Sequence, residues 1–391
     1  MKNEKLPLLP AALLLVLSVF SGGRIFAQED YKVRELNAPP VVKQRLDSLR
    51  KRIQTRKLTF QVGYTYARER GIDNVTGGIK PNVTSAEARK QNALAAQLIQ
   101  IDNQARLAAK IPQIIQPCSA GLKAWDWRKQ GKVTPVKKQH CGNCWAYAAI
   151  AAFESNYLIR NSTTVDASEQ YIVSNNDDGA GTCKGGRADL AINFLVTRGT
   201  TTETVLPDGG TNGTADPNLA TPLDAVIWGW VNPDNPNNPG VPSIKAGLCE
   251  HGPLATWIDA GGTFGDYTGA NEYGDVYNDD DKDAGYQAKG HFVTIIGWDD
   301  VRGAWLVKNS WGQNWGFNAG VGTERGYGWI KYGTHRVGSD VSWVRAKGNG
   351  YGLPAQYYAL MPLKRFPPTL NTPVVKPNVP TTKPVVTIKK P

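Results

Sequence analysis

Apolar and polar residues recur with a helical period in two stretches near the start of the chain. Residues 41–54 and 84–110 are both predicted to be helices, and Thr84 or Ser85 is a suitable N-cap for the second. Between these helices, residues 58–67 alternate in the manner of a short strand. The second helix has one predicted apolar face, which consists of Leu94, Leu98, Ile101 and Leu107.

A third helical pattern follows Cys144, where the sequence WAYAAIAAFESNYLI is rich in alanine. Gly142 and Asn143 precede it and are suited to a turn and an N-terminal cap. Cys144 is therefore expected in the first turn of a buried helix, where the helix dipole and free backbone N–H groups stabilise a thiolate. The buried stripe of this helix is predicted at Ala146, Ile150, Phe153 and Tyr157.

Two buried strands are predicted further along, HFVTIIGW from His291 and AWLVKNSWG at 304–312. The turn signal DDVRG separates them, so a hairpin is expected. In such a hairpin Asn309 lies close to His291, and its side-chain carbonyl can accept the imidazole N–H and orient the ring. Trp311 is expected to cover that hydrogen bond from water.

Composition divides the chain into four parts. Residues 1–27 have a charged start, an apolar run too short for a comfortable membrane span, and a small residue at Ala27, and are expected to be a signal peptide cleaved after Ala27. Residues 28–115 lack cysteine and tryptophan and are predicted to be a helical propeptide; an ordinary N-terminal domain is the alternative. Residues 116–348 contain all 12 tryptophans and are the predicted catalytic domain. Residues 349–391 are a predicted Pro/Lys-rich tail or linker.

The formal charge of +11 is spread along the chain, so nucleic-acid binding has little support. A signal peptide predicts a secreted, periplasmic or cell-surface protein, with no stable membrane insertion after cleavage. Exported thiols oxidise, and an odd count of five cysteines implies either an intermolecular bridge or a free reactive thiol. A monomer is expected.

Residues 125–153, WDWRKQGKVTPVKKQHCGNCWAYAAIAAF, resemble the start of the mature domain of papain-family cysteine proteases, in particular the cathepsin L-like group. The resemblance spans about 118–348 and implies an α+β fold with two lobes. The left lobe would be helical, the right lobe β-barrel-like, and the active-site cleft would lie between them. Later blocks of that family are matched in the same order by residues 181–186, 252–260, 290–298, 308–316 and 327–333.

The resemblance implies a catalytic role for four residues. Cys144 would be the nucleophile, and His291 the acid and base. Asn309 would orient the histidine, and Gln139 would supply the oxyanion-hole side chain beside the backbone N–H of Cys144.

Further residues are implied in substrate binding. Gly185 and Gly186 would hold the substrate backbone in extended form, and Trp311 would flank the leaving-group side. Arg187 stands where relatives carry a residue lining the second substrate pocket, which Trp257 and Phe292 would narrow. A pocket unlike those preferring bulky aliphatic side chains is expected, and Arg187 suggests tolerance of acidic ones.

The sequence departs from the family pattern near the nucleophile. The stretch from Gln139 to Cys144 is one residue shorter than usual, with His140 where glycine is common. Gly290 precedes the histidine where an amide or carboxylate is common, so help from that side chain is missing. The placement of the Gln139 amide therefore depends on the tertiary structure.

The resemblance also implies a disulfide between Cys141 and Cys183. With Cys144 set aside as the nucleophile, Cys118 and Cys249 are left over and are expected to pair with each other.

The predicted function is therefore that of a cysteine endopeptidase, made as a secreted zymogen, which hydrolyses peptide bonds through a thioester. Its partners would be protein or peptide substrates and its own propeptide as inhibitor, with no metal and no cofactor. One alternative is a catalytically inactive papain-like binding protein. A second is a thiol-disulfide oxidoreductase that uses the Cys141–Cys144 pair.

Overall fold

A computed structural model describes residues 31–112, 117–175, 179–214, 216, 218–280 and 286–361. The predicted signal peptide and residues 362–391 of the predicted tail lie outside the described residues. Within the described ranges, no helix is both long and apolar enough to cross a membrane.

The helices and strands follow one another along the chain in mixed order. The α-helices are α1 (Pro40–Arg56), α2 (Tyr66–Arg70), α3 (Ser85–Ala108), α4 (Cys144–Asn161), α5 (Glu169–Asn175), α6 (Ala188–Thr197), α7 (Val241–His251) and α8 (Ala355–Leu360). Short 3₁₀ helices lie at Ile72–Asn74, Trp127–Gln130, Phe264–Asp266, Gly312–Asn314 and Thr334–Arg336. The strands are β1 (Gln61–Val62), β2 (Ala124–Asp126), β3 (Gly181–Thr182), β4 (Gly185–Gly186), β5 (Ala225–Trp230), β6 (Leu254–Asp259), β7 (Tyr267–Gly269), β8 (Val276–Tyr277), β9 (Gly290–Asp299), β10 (Ala304–Lys308), β11 (Tyr327–Lys331) and β12 (Ser339–Ala346).

The main sheet has eight strands in the order β5-β12-β6-β9-β10-β11-β8, with β2 added on β9. Two small two-stranded sheets, β1-β7 and β3-β4, accompany it. Among the described strands, no pairing joins β5 to β8. The β lobe is therefore an open sheet and not a closed barrel. The α+β architecture with two lobes is otherwise as expected.

Helix α4 forms the centre of the helical lobe. The four positions of its predicted apolar stripe are all buried, but so are almost all of its other residues. The helix packs against β9, β12 and α6, which cover it on several sides. Asn143 is at the N-cap position, as predicted, but its side chain makes no capping hydrogen bond.

Both helices predicted before the catalytic domain are present, as α1 and α3. Thr84 caps α3 through a capping box with Glu87. Leu98 and Ile101 are buried as predicted, whereas Leu107 is 69% exposed although Arg106 of the same turn is buried. Leu107 lies nine residues after Leu98, which at about 100° per residue places it on the opposite face of the helix. Of the strand predicted at 58–67, only Gln61–Val62 (β1) is present.

Helix α3 covers the edge strand β5 of the main sheet. The Asn92 side chain accepts a hydrogen bond from the backbone N–H of Trp230 and donates one to its carbonyl, at 2.9 and 2.8 Å. Gln91 donates to the Trp228 carbonyl at 2.8 Å. These side-chain amides satisfy backbone groups that an edge strand would otherwise leave unpaired.

A buried carboxylate also ties α3 to the catalytic domain. Asp102 is fully buried and accepts hydrogen bonds from Arg160 of α4 at 2.8 Å and from Arg345 of β12 at 2.7 Å. Tyr351 also donates to it. The buried Arg160 and the largely buried Arg345 therefore depend on one carboxylate that the N-terminal segment supplies.

Replacing Asp102 with asparagine is expected to destabilise the full-length chain by about 3–5 kcal/mol, because two buried cations lose their counter-charge. Urea unfolding checks this value. Asp234→Asn is the matched control: its partner Arg89 also bridges α3 to the domain, but both side chains are more than 60% exposed. That control is expected to cost about 1 kcal/mol or less. Equal losses in the two variants would contradict the assigned role of Asp102.

The start of the predicted tail is structured. Residues 355–360 form α8, and the buried Tyr357 donates its hydroxyl to the Val226 carbonyl of β5 at 2.7 Å. The chain therefore packs on the domain beyond residue 349, where the sequence predicted an extended tail, because Tyr357 finds an apolar site beside β5.

Candidate active site

Cys144 is the first residue of α4 and is completely buried. It is the free cysteine among the described residues. Cys141 is joined to Cys183, and Cys118 is joined to Cys249. The Cys-x-x-Cys pair is thus divided between a bridge and a free thiol, which removes the basis for a redox couple.

His291 and Asn309 form a buried hydrogen-bonded pair, with 2.8 Å between Nε2 and Oδ1. An amide oxygen only accepts, so Nε2 carries the proton and donates. In the neutral imidazole Nδ1 is then an acceptor, and it finds no hydrogen-bond partner among the described residues. Trp311 stacks on the imidazole at 4.5 Å between ring centroids and shields the hydrogen bond. The ring is thus oriented with one basic nitrogen left available.

The β9-β10 hairpin brings this pair together. The two strands are antiparallel, with Thr294 opposite Lys308, the residue before Asn309. His291 lies at the start of β9, opposite Ile258 of β6. The predicted hairpin thus accounts for the meeting of two residues 18 positions apart.

Burial keeps the thiol of Cys144 and the imidazole of His291 neutral. Burial raises the pKa of the Cys144 thiol to about 12, although backbone hydrogen bonds from Phe292, Gly77 and Trp145 oppose it. Burial also lowers the pKa of His291 to about 4, against the hydrogen bond to Asn309. The expected thiolate at the helix N-terminus is therefore absent in this form, because the desolvation penalty exceeds the stabilisation by the backbone N–H groups.

Gln139 is buried against the active-site helix despite the shortened spacing. Its Nε2 donates to the carbonyls of Cys141 at 2.7 Å and Val75 at 3.1 Å. Its Oε1 accepts from the Ser310 hydroxyl at 2.5 Å. His140, which lies within the shortened stretch, turns its half-exposed side chain outward, with 3.0 Å between its Nδ1 and Oδ2 of Asp208. Ser310, which orients this amide, was not singled out from the sequence.

Residues 75–80, here called the cleft segment, lie across these groups. The Val75 carbonyl accepts from Gln139 and from Trp311 Nε1, the latter at 2.9 Å. The segment thus occupies the donors that the sequence assigned to the oxyanion and leaving-group sides.

Both walls of the cleft hold the middle of this segment. On the β side, the Gly290 carbonyl accepts from the backbone N–H groups of Gly77 and Gly78, at 2.9 and 2.7 Å. On the helical side, Gly186 donates to Gly77 at 2.8 Å and accepts from Ile79 at 2.8 Å. A peptide backbone therefore already lies extended along Gly185–Gly186.

Glycine is required at these contacts because the backbone of the cleft segment lies directly against the backbone of the cleft walls. A Cβ on Gly77 would lie 2.4 Å from the Gly142 carbonyl oxygen, and one on Gly290 would lie 2.0 Å from that of Gly78. Gly290 therefore leaves room for the backbone of the cleft segment. From the sequence alone, Gly290 stood out only because it lacks a polar side chain. The Gly77-Gly78 doublet was the available signal for such a close approach.

The three residues expected near the second pocket lie in different environments. Trp257 Nε1 donates to the Gly78 carbonyl at 2.9 Å, so it faces the cleft. Arg187 is held by Asp189, with hydrogen bonds of 3.2 and 2.6 Å. The Phe292 side chain is 1% exposed and packs in the core of the helical lobe.

Under the predicted endopeptidase function, Asn309→Ala is expected to lower kcat/KM for peptides by roughly tenfold to a hundredfold, because the buried His291 N–H loses its acceptor. Steady-state kinetics with a fluorogenic peptide measure the change. Asn314→Ala is the matched control, since Asn314 contacts Arg325 and not the histidine. Unchanged kinetics in the Asn309 variant would show that the orienting hydrogen bond has no part in the reaction.

The family model described as papain family cysteine protease matches residues 122–340, more than half of the chain. This chain belongs to the papain family of cysteine proteases.

Curated relatives align with the same region. The senescence-specific cysteine protease SAG12 of Arabidopsis thaliana is 35% identical over 199 residues, which are 49% of this chain and 53% of the relative. Vignain of Ricinus communis is 35% identical over 208 residues, which are 51% of this chain and 54% of the relative. The chain thus spans about half the length of the curated relatives it matches.

The fold is similar to solved structures over a longer stretch. The digestive procathepsin L2 proteinase from Tenebrio molitor larval midgut aligns with a TM-score of 0.56 and 21% identity, covering 84% of this chain and 95% of that one. This likeness concerns the fold alone.

Proposed function

We propose that the chain is the zymogen of an exported, cathepsin L-like cysteine endopeptidase. The observation that carries the proposal is the buried arrangement of a free thiol at a helix N-terminus and an imidazole oriented by Asn309. A nucleophile, a base and an orienting group are the parts that thiol-dependent acyl transfer needs.

In the proposed cycle, His291 Nδ1 takes the proton of the Cys144 thiol, and the sulfur attacks the peptide carbonyl. The histidine then gives that proton to the leaving amine, and a thioester remains. Water, losing a proton to the same nitrogen, attacks the thioester and releases the acid and the thiol.

Gln139 is proposed to stabilise the oxyanion together with the backbone N–H of Cys144. Its Nε2 now donates to two carbonyls, Cys141 and Val75. The Val75 contact is lost when the cleft segment leaves, so a donor becomes free in a site already shaped for a peptide carbonyl. Gly185 and Gly186 would hold the substrate backbone, and Trp311 would flank the leaving group.

Residues 28–115 are proposed to be the propeptide, followed by the catalytic domain at 116–348. Support comes from the cleft segment, which pairs with Gly186 and Gly290 where a substrate would lie. A maturation cut is expected between about 105 and 124, after α3. Export through a signal peptide at 1–27 is consistent with two disulfides, which persist in oxidising compartments.

Covalent labelling with an epoxysuccinyl inhibitor tests the proposal. The processed chain is expected to hydrolyse peptides and to gain one adduct on Cys144, which peptide mapping locates. Hydrolysis without a Cys144 adduct would refute the assigned nucleophile. A protein that binds peptides tightly but neither hydrolyses them nor takes the label would instead be an inactive binding protein.

A further inference from the structure

Asp208 is an enclosed carboxylate in the segment that joins α6 to β5, and its side chain is 3% exposed. Its Oδ2 accepts from the Tyr147 hydroxyl at 2.8 Å and lies 3.0 Å from His140 Nδ1. Its Oδ1 accepts from Asn143 Nδ2 at 3.4 Å and from the backbone N–H of Gly210 at 3.1 Å. A carboxylate only accepts, so His140 Nδ1 carries the proton and donates. Three of these four donors are side chains that flank the proposed nucleophile.

The backbone between the two proposed oxyanion donors is short, and each of its four residues, 140–143, is tied to a residue outside it. Cys183 holds the middle two, since it is bonded to Cys141 and its carbonyl accepts from the Gly142 N–H at 2.9 Å. Asp208 holds the outer two through their side chains. The path of this stretch is therefore set by two residues that lie 42 and more positions further along the chain.

The loop around Asp208 is shaped for this contact. Gly210 has a φ of 62°, in the left-handed region, and a Cβ there would lie 2.7 Å from the Cβ of His140. The Gly209 N–H donates to Gln170 of α5 at 2.9 Å, which ties the loop to the helical lobe. The carboxylate is therefore held against the shortened stretch by its own backbone.

Tyr147 connects this carboxylate to the helix that presents the nucleophile. It lies three residues after Cys144, in the first turn of α4, and its hydroxyl also lies 3.4 Å from the Lys138 carbonyl. Burial, followed by the charges of Glu169 and Asp208, raises the pKa of Tyr147 well above its ordinary value. The hydroxyl therefore keeps its proton and donates it, so one carboxylate joins the helix to the loop before it.

We propose that Asp208 is a positioning residue of the oxyanion hole. Through its three side-chain donors it fixes the backbone that joins the Gln139 amide to the Cys144 N–H. Such donors act only at hydrogen-bond distance from the developing oxyanion, and a misplacement of about 1 Å costs on the order of a hundredfold in rate. The assignment rests on the proposed endopeptidase function and deepens it.

Asp208→Asn in the full chain, activated by processing, tests this assignment. Asparagine keeps the side-chain shape, but its amide nitrogen cannot accept from the donors that surround this position. Active sites are counted with the epoxysuccinyl label, so that unfolded protein does not enter the rate. We expect kcat for a fluorogenic peptide to fall by about tenfold and KM to stay within about twofold of the wild type, as for an interaction made only in the transition state.

Two reagents that react with Cys144 separate the oxyanion hole from the thiol. Alkylation by iodoacetamide develops no oxyanion, so its rate is expected to stay within about twofold of the wild type. A peptide aldehyde instead adds the thiol across its carbonyl: a sulfur–carbon bond forms, the thiol proton passes to the carbonyl oxygen, and that oxygen faces the same donors. The inhibition constant of the aldehyde is expected to rise by about the factor by which kcat falls.

Two further variants provide the control and the route. Asp216→Asn makes the same change in an exposed residue of the same segment, which accepts from the Asn218 N–H, and is expected to leave kcat unchanged. Tyr147→Phe removes one donor to Asp208 and keeps the ring, so it also lowers kcat and carries the test if Asp208→Asn gives no titratable sites. The double variant is expected to lose less than the product of the two single losses, because both changes remove one contact.

The possible failures are distinguishable. An unchanged kcat in Asp208→Asn, an equal slowing of iodoacetamide, or independent losses in the double variant overturns the assignment of Asp208 and leaves the endopeptidase intact. Failure of labelled, folded wild type to hydrolyse any peptide overturns the proposed function, and the assignment of Asp208 with it.

Discussion

Replacing Cys144 with serine is expected to lower kcat/KM of the processed chain by roughly four to six orders of magnitude. A hydroxyl is a far weaker acid than a thiol, and an imidazole is a weak base. The imidazole therefore has little capacity to generate an alkoxide. Active-site-titrated kinetics on a peptide substrate measure the loss.

The Cys144→Ser substitution is expected to leave the structure of the chain unchanged, which can be checked separately from activity. Serine differs from cysteine by a single atom and is slightly smaller, and the two disulfides do not involve this position. Its thermal unfolding and its binding of peptides are expected to remain close to those of the wild type. Retained hydrolysis in this variant would mean that another group performs the attack.

The second large effect concerns the cleft segment. Its removal is expected to accelerate alkylation of Cys144 on the order of a thousandfold at neutral pH, since the thiolate fraction falls tenfold for each unit by which the pKa exceeds the pH. Burial raises that pKa from 9.0 to about 12 in the covered form. When water reaches the thiol, the main cause of this shift is removed. Stopped-flow labelling of full-length and processed protein compares the two rates.

A single glycine substitution tests the same effect in the full-length chain. A Cβ on Gly78 would lie 2.6 Å from the backbone nitrogen of His291, so Gly78→Ala is expected to displace the cleft segment and speed labelling. Gly121→Ala is the control, because its Cβ would meet nothing closer than 3.8 Å. Equal, slow labelling of full-length and processed wild type would show that the segment does not restrain the thiol.

Local patterns predicted the elements that carry the candidate site. The alanine-rich run after Cys144 is α4, and the two apolar runs separated by DDVRG are β9 and β10. Periodicity and turn residues are encoded within a few positions of one another, so they can be identified without knowing the fold. The predicted pairing of His291 and Asn309 followed from the hairpin alone.

Features that depend on distant neighbours were not predicted. Arg187 was expected to face an incoming side chain, but Asp189 engages its guanidinium. Residues more than 100 positions apart meet where Gly186 donates to the Gly77 carbonyl, and no local pattern records that meeting.

The sequence by itself determined the helix that presents Cys144 and the hairpin that presents His291 and Asn309. Its odd cysteine count required either a free thiol or an intermolecular bridge. Only the tertiary structure decided that Cys144 is the free thiol and that burial raises its pKa. The physical reason is that propensity and hydrophobic period act between near neighbours, whereas desolvation and buried charge depend on everything packed around a group. In this chain the neighbours of Cys144 include Gly77, brought from the N-terminal segment into the cleft, whose backbone hydrogen bond opposes the rise in pKa that burial causes.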